Sequence, residues 1–341
     1  MKKKQMTAEK PANFKNISIS IKKVKPKPSI VYNTYWRFIS KRQDIFFKRI
    51  NNVEYPWSDD YILNDYKFTN VYRATDRVSQ YLIRNIIYNG SQESHELFFR
   101  IILFKIFNRI STWEFLQEQL GEITFENYSF KAYDSLLLEL LKNKEPIYSP
   151  AYIMASGKSV FKQERKHQNH LLLIEKMMND KLPLMLQECK SMKEVYGLLL
   201  SYPTIGEFLA YQYSIDLNYS SLTNFSEMEF VKAGPGAKDG ITKCFTDFGD
   251  YNYEDIIKMM ADNQETEFER LGIGFQNLWG RNLQLIDCQN VFCEVDKYSR
   301  LFHPEIMGVS QRIRIKQKFK LQSKEHLNYF FPPKWEINNL I

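Results

Sequence analysis

The segment Leu97–Ile110 is apolar on nearly every side of a helix, and between Phe98 and Phe107 only Arg100 and Lys105 interrupt it. Such a helix is buried on both flanks, because it has no polar face to turn towards water. The run is also shorter than the ~20 apolar residues that span a bilayer. We therefore expect a helix at the centre of a protein core, which other elements must surround.

Most of the remaining sequence has the three-and-four spacing of half-buried helices. Within residues 68–88, for example, Val71, Val78, Leu82 and Ile86 fall on one helical face. Further helices are predicted over residues 112–120, 132–143, 165–180, 190–200, 253–269 and 287–301. The expected fold class is mainly α, with a few short strands near the C-terminus.

One segment predicts a strand. In Gln311–Leu321, basic residues alternate with Ile, Gln, Phe and Leu, which places the bases on one side of an extended chain. Such a strand either turns a basic edge to water, which deters aggregation, or follows a nucleic-acid backbone. Both interpretations stay open, and the candidates for phosphate contacts are Arg312, Arg314 and Lys316.

The positive charge is concentrated at the start of the chain. The formal net charge is +7, and residues 1–28 carry nine lysines against Glu9 alone, which leaves −1 for the rest. We predict a disordered lysine-rich tail over residues 1–30 and a single composite helical domain over residues 31–341. The tail is either a solvated leader or an arm that binds phosphate or directs nuclear import.

The sequence points to an intracellular protein without a cofactor motif. Four cysteines in 341 residues suit free thiols in a reducing compartment, and the N-terminus lacks the apolar stretch of a signal peptide. We expect the cytoplasm or nucleoid, or the nucleus in a eukaryote, and no membrane association. Neither a Walker phosphate loop nor a metal-ligand spacing occurs, so no metal or other cofactor is predicted.

Two glycine-containing turns are candidates for phosphate binding. Residues 202–206 read YPTIG and predict a tight hairpin between two helices, the second of which begins at the glycine. Backbone N–H groups at such a helix start can hold a DNA phosphate without reading sequence. The candidates in this hairpin are Pro203, Thr204, Ile205 and Gly206.

The second turn lies in residues 233–240, which read AGPGAKDG. Gly234 and Gly236 permit a tight turn and the close approach of another backbone, and Lys238 adds a charge that could contact phosphate. Either turn could also serve the fold alone.

The first turn resembles the hairpin of the helix-hairpin-helix DNA glycosylases, whose pattern is Leu-Pro-Gly-Ile/Val-Gly. In that superfamily a catalytic carboxylate, usually Asp, follows the hairpin just before another helix. Glu227 and Glu229 occupy that window here. Thr204 stands where the family has Gly, and Phe208 stands where some members have a lyase lysine. The resemblance therefore does not imply a Schiff-base mechanism.

A broader resemblance covers residues 32–335. The strings YKFTNVYR, DRV, FRIILFKIFN, TWE, AGPGAKDG and LIDCQN are similar to the alpha-glutamyl/putrescinyl thymine pyrophosphorylase-like family of DNA base hypermodification. That family also supplies the helical domain of 5-hydroxymethyluracil DNA kinases. The resemblance implies a helix-hairpin-helix glycosylase-like helical domain that acts on modified pyrimidines in phage-type DNA. No kinase phosphate loop accompanies it in this sequence.

An enzyme that acts on a base in duplex DNA must extrude the base into a pocket with stacking and hydrogen-bonding groups. The candidates for this pocket are Tyr72, Asp76, Arg77, Tyr211, Gln289 and Asn290. Aromatic rings would stack on the base and amides would bond to its edge. The alternative is that these residues serve the core, cap helices or form surface ion pairs.

Glycosidic cleavage needs a carboxylate that stabilises an oxocarbenium-like sugar or activates water. For this role we rank Glu229 first, then Glu227, Asp287 and Asp216. A transfer at the 5-substituent of the base would use the same pocket, with Arg73, Arg77 and Lys238 as candidate cations for a pyrophosphate leaving group.

We therefore expect a DNA glycosylase-like hydrolase that excises a hypermodified pyrimidine. One alternative is a transferase that replaces a pyrophosphorylated 5-methyl substituent of uracil in DNA with an amine. Another is a non-catalytic DNA-binding helical subunit. The expected partners are double-stranded DNA with modified pyrimidines and a DNA-modifying kinase or defence protein.

Overall fold

The computed structural model describes residues 23–321 and 328–341. Within these ranges the protein is mainly helical, and the regular sheet consists of β1 (Lys27–Pro28) paired antiparallel with β2 (Phe245–Asp247). The helical fold class predicted from the sequence is confirmed. Residues 1–22, which hold most of the predicted tail, lie outside the described part of the chain.

The helices follow one another along the whole described chain. They are α1 (Ile30–Ile50), α2 (Tyr61–Asp65), α3 (Arg77–Tyr81), α4 (Ser94–Phe107), α5 (Ile110–Leu120), α6 (Phe130–Lys142), α7 (Lys158–Phe161), α8 (Lys166–Asn179), α9 (Leu182–Glu188), α10 (Met192–Leu200), α11 (Glu207–Asn218), α12 (Pro235–Cys244), α13 (Tyr253–Asp262), α14 (Gln264–Arg270) and α15 (Leu285–Phe302). Single turns of 3₁₀ helix occur at Arg73–Thr75, Pro333–Trp335 and Asn338–Leu340, and a π-helical turn occurs at Leu82–Ile87.

The predicted central helix is α4, and every residue from Glu96 to Phe107 is buried. It packs against α5, α8, α9 and α11. Helix α11 is the second fully buried helix, because every residue from Leu209 to Asn218 is shielded from solvent. These two helices form the centre of one helical group, so any polar side chain between them lies far from water.

A second group surrounds α15, which packs against α1, α12 and α13. The closest approach is between α12 and α15, where Gly236 and Gly240 lie one helical turn apart. A Cβ atom at position 240 would lie 2.0 Å from the carbonyl oxygen of Phe292, and one at position 236 would lie 3.0 Å from Cys293 Sγ. Close backbone approach therefore occurs in the predicted glycine turn segment, most tightly at Gly240.

The helix predicted within residues 68–88 begins later than expected, at Arg77. Arg42 donates to the carbonyl oxygens of Phe68 and Thr69, and the Asn70 N–H donates to Asp76 Oδ1 at 2.8 Å. These side-chain bonds compete with helical pairing and hold the preceding residues in an irregular segment. The helix predicted over 253–269 is likewise two helices, α13 and α14, which meet at Asn263.

The alternating segment Gln311–Leu321 is irregular, with one antiparallel bridge between Tyr66 and Lys318. The Lys67 N–H donates to the Gln317 carbonyl and the Phe319 N–H donates to the Asp65 carbonyl. The predicted regular strand is therefore absent from this stretch, because the partner segment is only three residues long. An alternating pattern forms a strand only where a second extended segment offers its backbone.

The start of the described chain belongs to the folded body. Lys27–Pro28 forms β1, and Ser29 caps α1 by accepting a hydrogen bond from the Val31 N–H at 3.0 Å. Ser29 also donates its backbone N–H to the Cys244 carbonyl at the end of α12, so residues 27–30, assigned to the tail from sequence, are part of the folded body. Across residues 23–321 and 328–341, every helix is too short or too polar to cross a membrane.

Replacing Gly240 with Ala tests the close packing of α12 on α15. We expect the free energy of unfolding to fall by roughly 3 kcal/mol, because the new methyl group overlaps the Phe292 carbonyl and the helices must separate. The matched control is Gly197→Ala in α10, where an added Cβ meets nothing within 4 Å and stability should rise by ~0.5–1 kcal/mol. Urea denaturation of both variants measures the difference, and equal effects would contradict the packing described.

Candidate functional site

Helix α11 carries a line of residues that turns towards the junction of the two helical groups. Phe208, Gln212, Asp216 and Tyr219 follow at spacings of four, four and three, so they share one face of the helix. Gln212 and Asp216 have no solvent exposure. Both polar groups must therefore be satisfied by partners inside the protein.

The partners of Asp216 are two buried cations. Arg73 Nη1 lies 2.8 Å from Asp216 Oδ1, and Lys105 Nζ lies 3.2 Å from Oδ2. The exposed fractions of the Arg73, Lys105 and Asp216 side chains are 2%, 4% and 1%. We call these three residues the buried ion triad. Burial lowers the pKa of Lys105 to about 8, against the opposing attraction of Asp216.

Helix α15 contributes the other side of the site. Asp287 Oδ1 accepts a hydrogen bond from the backbone N–H of Arg73 at 2.8 Å, and its Oδ2 accepts one from the backbone N–H of Gln284 at 3.0 Å. Gln212 bridges the two groups, because it accepts from Arg73 Nε at 3.1 Å and donates to Gln289 Oε1 at 3.3 Å. Burial raises the pKa of Asp287 to about 7, and the nearby charge of Glu227 adds to the rise.

A further ion pair lies beside Asp287. Arg281 Nη2 is 2.9 Å from Glu227 Oε1, and the Arg281 guanidinium lies 3.8 Å from the centre of the Trp335 ring. Within the described residues, the buried Tyr211 hydroxyl has no hydrogen-bond partner. A buried polar group left unpaired costs ~1–3 kcal/mol, and this hydroxyl could accept or donate a further hydrogen bond.

Together these side chains form what we call the buried polar cluster. Its members are Arg73, Lys105, Tyr211, Gln212, Asp216, Glu227, Arg281, Asp287 and Gln289. Cations can bind phosphate oxygens, amides can bond to a pyrimidine edge, and a carboxyl group with a pKa near neutrality can exchange a proton. The cluster therefore combines cations, amides and a titratable carboxyl group in one buried place.

The cluster approaches solvent beside two aromatic rings. Tyr152 and Phe208 are both half-buried and stack almost parallel, with ring centres 5.7 Å apart and planes at 8°. Lys105 Nζ lies 4.8 Å from the centre of the Tyr152 ring. The two rings therefore stand between the buried ion triad and the surface.

The structure gathers many of the residues predicted from the sequence. Tyr72 contacts the buried polar cluster, because its hydroxyl donates to the Arg281 carbonyl at 2.7 Å. The predicted residues that belong to the cluster are Arg73, Tyr211, Asp216, Glu227, Asp287 and Gln289. Glu229, ranked first among the carboxylates, is exposed on the irregular segment before α12. Burial of the neighbouring Glu227 makes that residue the carboxylate that joins the cluster.

Three other predicted pocket residues lie outside the cluster. Asp76 accepts the Asn70 N–H and lies near Arg42, and burial raises the pKa of its carboxyl group to about 6. Arg77 is exposed at the start of α3, and Asn290 is partly exposed on α15. The roles predicted for these residues remain predictions.

The phosphate-binding candidates occupy several surfaces. The hairpin between α10 and α11 has the predicted form, with Thr204 at φ 71° and Gly206 exposed as the N-cap of α11. Pro203 is partly exposed and Ile205 is buried.

The other phosphate-binding candidates lie on α12 and after α15. Lys238 is exposed on α12, whereas Gly234 is buried and Gly236 is packed on α15. Arg312, Arg314 and Lys316 are exposed in the irregular segment after α15.

Sequence reasoning missed Lys105, Gln212 and Arg281. Lys105 had a signal, because a lone cation in an otherwise apolar buried helix needs a buried counter-charge. Arg100 shows the limit of that signal, since it donates to the carbonyl oxygens of Ile86 and Ser91 and serves the fold. Only the three-dimensional partners distinguish the two residues.

An open cleft lies apart from the cluster. The cleft, of about 730 Å³, runs between β1, α13 and α14, and its lining mixes Lys23 and Lys258 with Asp255 and Glu267. None of the predicted site residues lines it. In residues 23–321 and 328–341, no three His, Cys, Asp or Glu side chains come together as metal ligands.

Comparison with known proteins identifies the family. Residues 29–308 match the family described as "5-hmdU DNA kinase, helical domain". The chain belongs to this family. Among curated proteins it is similar to the 5-hmdU DNA kinase of Bacillus phage SP10, with 27% identity over 330 residues, which cover 91% of this chain and 51% of the relative. The chain thus spans about half the length of that relative. No solved structure matches it.

These comparisons correct the functional prediction made from the sequence. The expectation of base excision by a glycosylase-like hydrolase is wrong, because both the family and its phage relative are described as kinases of a DNA base. A kinase transfers a group to the base and leaves the glycosidic bond intact. The predicted resemblance to the helical domain of 5-hydroxymethyluracil DNA kinases is confirmed, whereas the relationship to glycosylases stays a prediction.

Replacing Asp216 with Asn tests the buried ion triad. The substitution leaves Arg73 and Lys105 buried without their shared counter-charge, and we expect a loss of ~3–5 kcal/mol in the free energy of unfolding. The matched control is Asp247→Asn, which removes an exposed ion pair with Lys27 on the sheet and should change stability little. Chemical denaturation at pH 7 compares the two, and a tolerant Asp216 variant would show that the triad is not a coupled unit.

The raised pKa of Asp287 predicts a pH dependence of stability. Between the ordinary Asp pKa near 4 and the folded value of about 7, the native state binds a proton that the unfolded state has released. The contribution of Asp287 to stability is therefore full below pH 4 and is lost as the pH rises towards 7. We expect the free energy of unfolding of the natural protein, relative to Asp287→Asn, to fall across this range in denaturation curves. Parallel pH profiles for the two proteins would contradict the assignment.

Proposed function

We propose that this protein is a DNA-base transferase that acts on the 5-substituent of a modified uracil. The observation that carries the proposal is the buried ion triad, which holds two cations against one carboxylate at the point where the two helical groups meet. The family and its phage relative are named for 5-hmdU in DNA. Both observations favour chemistry on a base that carries oxygen at its 5-methyl carbon.

The proposed reaction replaces a pyrophosphate group on that carbon with an amine. The amine nitrogen forms a bond to the methylene carbon as the bond from that carbon to the pyrophosphate oxygen breaks. The leaving group takes the electron pair, and its growing charge is stabilised by Arg73 and Lys105. The surplus proton of the amine passes to the carboxylate of Asp287, whose pKa of about 7 suits proton exchange near neutral pH.

Other members of the cluster would hold the base. The amide groups of Gln212 and Gln289 are buried and linked to each other, and an amide offers both a donor and an acceptor to a pyrimidine edge. The unpaired Tyr211 hydroxyl supplies a further hydrogen-bonding group beside Asp287.

A second candidate is a DNA-recognition module that presents the base to a separate kinase. It is favoured by the family description as the helical domain of a kinase and by the chain spanning about half of its relative. This sequence has no Walker phosphate loop, which a nucleotide site of that class requires. In this case the cluster would bind the base without altering it.

Mass spectrometry of digested DNA distinguishes the candidates. The protein is incubated with duplexes that contain thymine, 5-hydroxymethyluracil or its pyrophosphorylated form, each with putrescine and with or without ATP. We expect an amine-substituted nucleoside only from the pyrophosphorylated base, without a need for ATP. Lys105→Met should slow the conversion by about 100-fold, whereas Asp247→Asn should leave it unchanged.

Two outcomes would overturn the transferase proposal. A phosphorylated nucleoside that forms only with ATP would assign kinase chemistry to this chain. Selective binding of the modified duplex with no change of mass, measured with putrescine and with ATP, would support the recognition module.

A further inference from the structure

The loop between α6 and α7 holds Tyr152 in an unusual backbone conformation. The φ angle of Tyr152 is 57°, in the left-handed region that bulky side chains rarely adopt. The residues that follow are anchored: Met154 Sδ accepts from the Tyr213 hydroxyl at 3.2 Å, and the Ala155 carbonyl lies 2.8 Å from His170 Nε2. The strain at Tyr152 is thus maintained by the packed segment behind it.

The ring of Tyr152 occupies a position with the features of a base-binding site. One face of the ring stacks on Phe208, and the ammonium group of Lys105 lies 4.8 Å from its centre. Phe208 is backed in turn by the turn at Gly234, where an added Cβ would lie 2.9 Å from the phenyl ring. A flat pyrimidine in the place of Tyr152 would stack on Phe208 and reach the buried ion triad.

The next residue is apolar and faces solvent. The exposed fraction of Ile153 is 74%. Two exposed lysines follow it in the chain: Lys158, which pairs with Glu164 at 2.8 Å, and Lys162. This stretch of chain also contacts the hairpin, because a Cβ at Gly157 would lie 3.1 Å from Thr204 Cγ2. Proteins that bend DNA wedge stacked bases apart with apolar side chains that project from their surface, and Ile153 is such a side chain.

We propose that Tyr152 is a placeholder for an extruded DNA base, and that Phe208 is the platform on which that base stacks. On binding, the base displaces the Tyr152 ring from Phe208, and Ile153 fills the gap left in the duplex. The partner is duplex DNA that carries a modified pyrimidine, and the inference rests on the proposed function because it supplies the base to the buried polar cluster.

The exchange is tested by fluorescence without any chemical conversion. The probe is a duplex with one 5-hydroxymethyluracil and 2-aminopurine as its neighbour, whose emission rises when the adjacent base leaves the stack. We expect the natural protein to raise the emission. Phe208→Ala should weaken binding of this duplex about tenfold, whereas Phe208→Tyr, which keeps an aromatic face, should bind normally.

Variants of the loop test the placeholder directly. Tyr152→Gly removes the ring and suits the left-handed backbone, so it should bind the modified duplex about fivefold tighter, because the base no longer has to displace a ring that is stacked on Phe208. Ile153→Ser should abolish the rise in emission but keep binding. The matched control is Val160→Ser, because Val160 is also exposed and apolar on this stretch and should be neutral.

The proposal is overturned if Tyr152→Gly binds more weakly, or if Ile153→Ser and Val160→Ser behave alike. Because Ile153 is exposed, its variant tests the exchange even if the Phe208 variants fail to fold. With a duplex that carries the pyrophosphorylated base, and with putrescine present, an emission rise without a change of base mass would refute the transferase and leave the exchange standing. Normal conversion by Phe208→Ala and Ile153→Ser would refute the exchange and leave the transferase standing.

Discussion

The position of Asp216 between Arg73 and Lys105 is the interaction on which the architecture depends. Each buried ion costs several kcal/mol of desolvation, which only close counter-charges and hydrogen bonds can offset. Lys105 comes from α4, Asp216 from α11 and Arg73 from the 3₁₀ turn after the irregular segment. Three separate parts of the chain must therefore meet with an accuracy of a few tenths of an ångström. Well-packed apolar side chains in place of such an ion set are often as stable or more stable, so stability alone does not account for the triad.

The buried ion triad is linked to the second helical group by hydrogen bonds to α15. The position of α15 depends in turn on Gly240 in α12. Because Gly240 allows α12 to touch the backbone of α15 at Phe292, α15 is held at a fixed distance from the rest of its group. Asp287 and Gln289 at its start then meet Arg73 and Gln212. Packing far from the chemistry thus sets the geometry of the site, which is a common reason why distant substitutions impair enzymes.

Local patterns predicted the elements, whereas the site required long-range information. Periodicity located α4, α8, α10 and α15 to within a few residues, because an amphipathic or fully apolar helix is encoded in contiguous sequence. The choice between Glu227 and Glu229 could not be made in this way, since both lie in an irregular segment and burial alone separates them. Gln311–Leu321 has a strand pattern without a partner strand of comparable length, so its pattern predicted more structure than its surroundings permit.

The charges of the buried polar cluster indicate how it could accept an anionic substituent. With every group ionised, Arg73, Lys105 and Arg281 balance Asp216, Glu227 and Asp287, so the cluster is neutral. A phosphate-bearing base adds negative charge beside Asp287, which raises the pKa of Asp287 further and makes its carboxylate a stronger base for the surplus proton of the amine. The protonated cluster carries one net positive charge towards the phosphate. Loss of pyrophosphate removes this negative charge and lowers the pKa of Asp287 again. Binding of the anion and proton exchange at this carboxyl group are therefore thermodynamically linked.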